Sequence, residues 1–181
     1  FFFRTAPSDA RGGQILADIT KDRKVKSVAI TYTNNDYGKG LADVYAAAVK
    51  AHGIKVTIVS AHEDGKADYS SEVATLASAG GDAVAVIGYL DQGGKGIIQG
   101  SLDSGAFDKF ILSDGMIGDS LTDAFGKDLN KSFGSMPGSM NKKTAGTFAS
   151  VAKAAGIDSS GPYTGESYDA GALIVLAMQA G

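Results

Sequence analysis

The segment Asp82-Ala83-Val84-Ala85-Val86-Ile87-Gly88-Tyr89 carries apolar residues at odd and even positions alike. A strand with one wet face alternates polar and apolar; a strand apolar on both faces needs cover on both, as in a parallel sheet between two helical layers. The flanking sequence supplies those layers. Ser8 is placed to cap a helix running to about Lys24, with Ile15, Leu16 and Ile19 on one face. A β-branched run, Val25 to Thr33, precedes a second helix from Tyr37 to His52, where Leu41, Val44, Tyr45 and Val49 recur at helical spacing and Gly53 supplies the stop. Ile54 to Ser60 reads as a strand, and Tyr69 to Ala79 as a helix ended by Gly80-Gly81. Beyond Tyr89 come a glycine-weakened helix (Gly96 to Ser104), a strand (Lys109 to Ser113), a short helix (Ser120 to Phe125) and a weaker strand (Ser132 to Met136). This alternation predicts an α/β fold: a doubly wound, flavodoxin-like parallel sheet with right-handed crossovers, in a three-layer sandwich.

The repeat stops near Pro137-Gly138, and two helical stretches follow, Thr144 to Ala155 and Glu166 to Ala180, joined by the turn-rich Gly156 to Pro162. The last is apolar nearly all round, with Leu173, Ile174, Val175, Leu176 and Met178, so it calls for burial that the sheet does not obviously offer. At 181 residues the chain can build one sizeable core. Hydrophobic residues at 44% and charged residues at 20% argue against disorder. The longest apolar run, Ala170 to Ala177, is far too short to cross a bilayer. With a net charge of −3 and scattered positives there is no basic patch, which disfavours nucleic acid as a partner. Absence of cysteine excludes disulfides, thiol nucleophiles and cysteine-based metal sites. Phe1-Phe2-Phe3-Arg4 lacks the h-region of a signal peptide and reads as a strand or hinge that continued upstream, so a fragment or processed chain is expected.

In open α/β sheets ligands bind beyond the carboxyl ends of the strands. Here the run from Val28 opens into the polar turn Asn34-Asn35-Asp36-Tyr37-Gly38, and the strand Phe110-Ile111-Leu112 opens into Ser113-Asp114-Gly115. On the bare residues Asp114 reads first as a turn aspartate before glycine, and Tyr37 equally as a helix-start side chain packed on a loop. Asp36 is expected to be the helix N-cap and dipole partner, and Asp91 another cap. His52 and His62 lack metal-type neighbours in sequence and read as solvated. The stretch Gly88 to Gly96 is out of register for a phosphate loop, since Gly94 and Gly96 occupy the critical places. Gly165-Glu166-Ser167-Tyr168-Asp169 lacks the closing glycine of a nucleophile elbow. Lys21 to Lys26 reads as a solvated helix end.

Phe2-Phe3-Arg4-Thr5-Ala6-Pro7-Ser8-Asp9, Asn35-Asp36-Tyr37-Gly38-Lys39-Gly40-Leu41-Ala42, Lys66-Ala67-Asp68-Tyr69-Ser70, Ile87-Gly88-Tyr89, Ser113-Asp114-Gly115 and Gly161-Pro162-Tyr163 stand in one order along the chain. Together they resemble the periplasmic amino-acid-binding proteins of branched-chain amino-acid ABC transporters, Leu/Ile/Val-binding-protein-like and of the type I periplasmic binding protein fold. The resemblance implies two lobes joined by three hinge crossings, with the ligand closed between them. On that template Phe1 lies at the first crossing and residues 1–137 form the second lobe. Residues 138–181 return to a first lobe that is mostly absent and that would bury the last helix. The resemblance further implies that Asp114 holds the ligand α-ammonium, that Tyr37 packs over the ligand, and that Tyr89 faces it. The groups that clasp the ligand carboxylate belong to the first lobe. Aspartate stands where some amino-acid binders carry glutamate, which alters pocket depth and ligand size. An exported, periplasmic, non-catalytic protein without cofactor or metal is implied, with an ABC permease of the inner membrane as partner; one lobe alone should bind weakly. A fold does not fix function, so other readings stay open: a sensory receptor lobe, an enzyme, or a phosphorelay receiver using Asp36 and Asp91, although no lysine ends the strand Ser132 to Met136.

Overall fold

The computed structural model describes residues 3–138 and 142–180; the strand or hinge expected at Phe1 and Phe2 lies outside them. Backbone contacts gather the chain into two compact units, residues 9–136 and the described parts of 1–8 with 137–181.

The larger unit contains α1 (Asp9–Asp22), β1 (Ser27–Thr33), α2 (Asp36–Ala51), β2 (Lys55–His62), α3 (Ser70–Ala79), β3 (Ala83–Ile87), α4 (Lys95–Ser104), β4 (Phe110–Leu112), α5 (Asp119–Phe125) and β5 (Phe133–Gly134). All neighbouring strands pair parallel, in the order β2-β1-β3-β4-β5, which is the doubly wound order expected. Every residue of β3 is buried. The pleat then sorts side chains by parity. Val28, Ile30, Ala83, Ala85, Ile87 and Ile111 pack with Leu16, Leu41, Tyr45 and Val49 of α1 and α2. Ala29, Val84, Val86, Phe110 and Leu112 pack with Val73 of α3, Ile97 and Ile98 of α4, and Leu121 and Phe125 of α5. Period-two alternation in a sheet covered on both sides thus yields two cores and three layers.

Several local expectations are corrected. Of the face expected from Ile15, Leu16 and Ile19, α1 buries Leu16, half-buries Ile19 and leaves Ile15 41% exposed, and it buries Gly13, Ala17 and Thr20 instead. The reason is the closeness of α2 at one point: a Cβ on Gly13 would lie 2.8 Å from Val44 Cγ1, so that position must be small. α1 ends at Asp22, and Lys24 takes a left-handed φ of 59° to turn the chain into β1. The N-cap of α2 is Asn35, whose side chain accepts from Gly38 N at 2.8 Å, while Asp36 is the first helical residue, where its charge still opposes the positive end of the helix. β2 runs on to His62, and its register with β1 slips at Thr57, whose hydroxyl instead donates to the Gly80 carbonyl at 2.6 Å.

The smaller unit carries α6 (Lys142–Ala154) and α7 (Thr164–Ala180), with Phe148 and Tyr168 rings 5.3 Å apart. No residue of α7 is buried; Leu173, Ile174, Val175, Leu176 and Met178 are 55% to 78% exposed. Among the described residues no helix is long and apolar enough to cross a membrane.

A buried hydroxyl pair ties α1 to α2: Thr20 donates to the Leu16 carbonyl at 2.7 Å, so the 2.9 Å contact with Tyr45 is donated by the phenol. Tyr45→Phe removes a donor and leaves Thr20 satisfied, whereas Thr20→Val strands the buried phenol. Urea unfolding should show a loss of about 1 kcal/mol for the former and of about 1–3 kcal/mol for the latter. The reverse order would contradict this assignment.

Candidate functional site

The carboxyl ends of β1, β3 and β4 share one edge of the sheet, and each delivers a residue to a common point. At β1, a Cβ on Gly38 would overlap the Thr33 carbonyl oxygen, so the glycine lets the first turn of α2 close onto the strand end. That close approach sets Tyr37. Its hydroxyl donates to Asp114 Oδ1 at 2.8 Å, with Ser113 Oγ a longer 3.3 Å away. Its ring stacks on Tyr89, the residue after Gly88 at the end of β3, with centroids 5.3 Å apart and planes inclined by 28°. Asp114 opens a 3₁₀ turn, Asp114–Met116, directly after β4. The structure therefore brings Tyr37, Tyr89 and Asp114 together from three separate strand ends.

Two residues to which sequence reasoning gave no role hold this arrangement. Ser113 is 1% exposed, and its Oγ accepts from Gly88 N at 3.3 Å, linking the ends of β3 and β4. A Cβ on Gly115 would overlap the Gly88 carbonyl oxygen, so glycine is needed there for the turn to sit against β3. The available signal was the polar residue directly before Asp114 at the end of an otherwise apolar strand. Burial raises the Tyr37 phenol well above its ordinary value, the Asp114 carboxylate raises it further, and the Ser113 bond acts in the opposite sense. The phenol is thus a fixed donor: it orients the carboxylate without cancelling its charge.

Other candidates behave differently. Asp91 is not a cap; it is exposed and pairs with Lys95 at 2.6 Å. Asp36 is exposed as well. His52 is not simply solvated but pairs with Asp18 at 2.7 Å. His62 is fully enclosed, 1% exposed, with Nδ1 2.8 Å from Thr31 Oγ1. The glycine-rich segment winds into a π turn, Leu90–Gly94, in which the N–H groups of Gln92, Gly93 and Gly94 all donate to the Tyr89 carbonyl, leaving no cradle for phosphate. A groove of about 680 Å³ between α3 and α4 includes Tyr69 in its lining but not Tyr37, Tyr89 or Asp114. Among the described residues no group of three or more His, Cys, Asp or Glu could hold a metal ion.

A family model described as periplasmic binding protein matches residues 1–181. A Leu/Ile/Val-binding protein homolog of Brucella melitensis is 38% identical over 93 residues, covering 51% of this chain and 25% of that protein. Another from Brucella abortus is 33% identical over 128 residues, covering 68% of this chain and 33% of its own length. Among solved structures, a leucine binding protein from Thermotoga maritima superposes with a TM-score of 0.74 at 18% identity, over 97% of this chain and 51% of that one. An ABC transporter substrate-binding protein from Desulfitobacterium hafniense, in complex with Leu, gives a TM-score of 0.70 at 20% identity, over 99% and 52%. At these identities the structural likeness is one of fold. The chain spans 25% to 33% of the curated relatives and about half of the solved ones.

Tyr37 and Tyr45 both hold their protons beyond the ordinary phenol value of 10.0 because they are buried. A pKa raised by folding adds stability that is complete below 10 and is lost as pH climbs past it. In a spectrophotometric alkaline titration, Tyr37→Phe should remove amplitude from the late phase that accompanies unfolding. Loss from an earlier phase near 10 would show the Tyr37 phenol to be accessible.

Proposed function

Because the chain belongs to the periplasmic binding protein family, we propose that it forms the ligand-binding lobe of an exported solute receptor for an α-amino acid, branched-chain or related. The observation that carries this reading is the Asp114 carboxylate, set under a stacked tyrosine pair at the carboxyl edge of the sheet. An ammonium group needs an anionic acceptor. A carboxylate has about four lone-pair sites and can take a charged donor alongside a phenol. The faces of Tyr37 and Tyr89 offer an apolar wall for an aliphatic side chain and a favourable surface for the cation.

Binding here is one half of a clamp. A second lobe closing on the ligand supplies donors for its carboxylate, and the closed state, favoured only when ligand is present, is what an inner-membrane ABC permease recognises. The periplasm is the setting this requires. The Leu/Ile/Val-binding names of the curated relatives and the bound Leu of the Desulfitobacterium hafniense structure support an amino acid as the ligand class. Membership in a family of binding proteins supports a receptor rather than an enzyme.

Nuclear magnetic resonance titration of the chain with millimolar L-leucine should shift the amides of Tyr37, Tyr89 and Gly115. Asp114→Asn should weaken the effect by about 10- to 100-fold, as expected for loss of one charge-assisted hydrogen bond. The comparison ligand is 4-methylpentanoate, which is leucine without its ammonium. Equal response to the two ligands, or an unaffected Asp114→Asn variant, would refute the role given to Asp114.

A further inference from the structure

We propose that His62 is a positioning residue for the Tyr37–Tyr89 stack, seating the carboxyl end of β3 while neutral and releasing it when protonated. His62 is the last residue of β2 and pairs in register with Thr33 of β1. Its ring does not turn outward. Nδ1 engages Thr31 Oγ1 on the neighbouring strand, and the ring reaches past β1 to the end of β3. A Cβ on Gly88 would lie 3.2 Å from His62 Nε2 and 3.4 Å from Thr33 Cβ, and one on Gly93 would lie 3.2 Å from His62 Cδ2. Two positions without side chains thus make room for one imidazole. Its remaining side meets the edge of the Tyr69 ring, with centroids 6.2 Å apart at 82°. Tyr69 in turn places its hydroxyl 2.9 Å from the Glu63 carbonyl and 3.0 Å from that of Gln92 in the π turn.

Gly88 transmits whatever happens at this imidazole. Its N–H is held by Ser113, beside Asp114, and Tyr89 follows it directly. Displacing Gly88 therefore displaces the ring that stacks on Tyr37. The polar surroundings make the displacement dependent on protonation. His62 Nε2, Thr33 Oγ1 and Asp64 Oδ1 are buried without a hydrogen-bond partner among the described residues. The imidazolium carries N–H groups on both ring nitrogens, so a charged N–H would stand at Nε2, against Gly88, which has no side-chain acceptor to offer. Asp64, Glu63 and Glu72 face the ring from the β2–α3 connection and α3 and favour the cation, although Glu72 is engaged by Lys66 at 2.5 Å. Asp91 and Lys95, flanking Gly93, are paired with each other, and β1 contributes only the hydroxyls of Thr31 and Thr33. Burial outweighs the acids and lowers the His62 pKa below 6.5. Stability from the neutral ring is therefore complete above 6.5 and falls as pH drops toward the folded-state value, by up to about tenfold in the folding constant per pH unit.

The bearing of this on ligand affinity rests on the amino-acid reading above, but the stack can be followed with no ligand present. In the whole chain, the His62 ring resonances should titrate with a midpoint below 6.5, and the near-ultraviolet circular dichroism of the tyrosines should change with that same midpoint. His62→Gln, a neutral side chain able to bond Thr31, should keep the tyrosine signal of neutral pH and lose its acid change. A tyrosine signal that ignores the His62 midpoint in the wild-type chain overturns the proposal whether or not the variant folds. So does an acid change that persists unaltered in His62→Gln.

Discussion

Burial of β3 on both faces is the constraint from which the site follows. Ala83 to Ile87 are all enclosed, so helices must cover both sides, and crossover connections must return each strand parallel to the last. Parallel strands finish at one edge. In the order β2-β1-β3-β4-β5 the connections from β1 and β3 leave toward opposite layers, and the side chains after adjacent strand ends gather in the opening between them. Tyr37, Tyr89 and Asp114 meet there although they lie far apart in sequence.

Glycine makes this convergence tight enough for direct bonds. Gly38 admits the Thr33 carbonyl and Gly115 admits that of Gly88, while Gly88 and Gly93 leave space for His62. Each is a place where one chain segment gives up its side chain so that another can come close. Side chains larger than hydrogen at Gly38 or Gly115 would push backbone apart rather than bend a flexible neighbour, and overpacking of that kind commonly costs about 1–3 kcal/mol. The ring stack and the phenol–carboxylate bond depend on these backbone approaches as much as on the aromatic residues themselves.

The succession of strands and helices along the chain was legible, to within a few residues at their ends, because hydrophobic periodicity is local and the runs around Ile30, Tyr45 and Val86 are strong. What escaped was decided by partners distant in sequence. Nothing near His62 announces burial; Thr31, Tyr69, Gly88 and Gly93 enclose it, and none of them belongs to β2. α1 hides Gly13 and Ala17 beside Leu16 while Ile15 stays exposed, because α2 comes too close at Gly13 for a side chain there. Asn35 displaces Asp36 as cap because the chain is extended at Asn35, with φ −144°, and already helical one residue later. At the site, the bare residues left Asp114 a turn aspartate. The family resemblance singled it out, and the geometry adds a role for Ser113, which the resemblance had carried only as part of a motif.

The partner chosen for Asp114 matters for what the site can attract. An arginine or lysine beside it would orient the carboxylate equally well but would cancel its charge, and an incoming cation would have to displace the first. A phenol donates one strong bond and stays neutral. It can do so only while it keeps its proton, and the same burial and the same carboxylate that shape the site drive the Tyr37 pKa upward. Orientation without an added charge therefore arises from one contact: the phenol is held protonated by the group it positions.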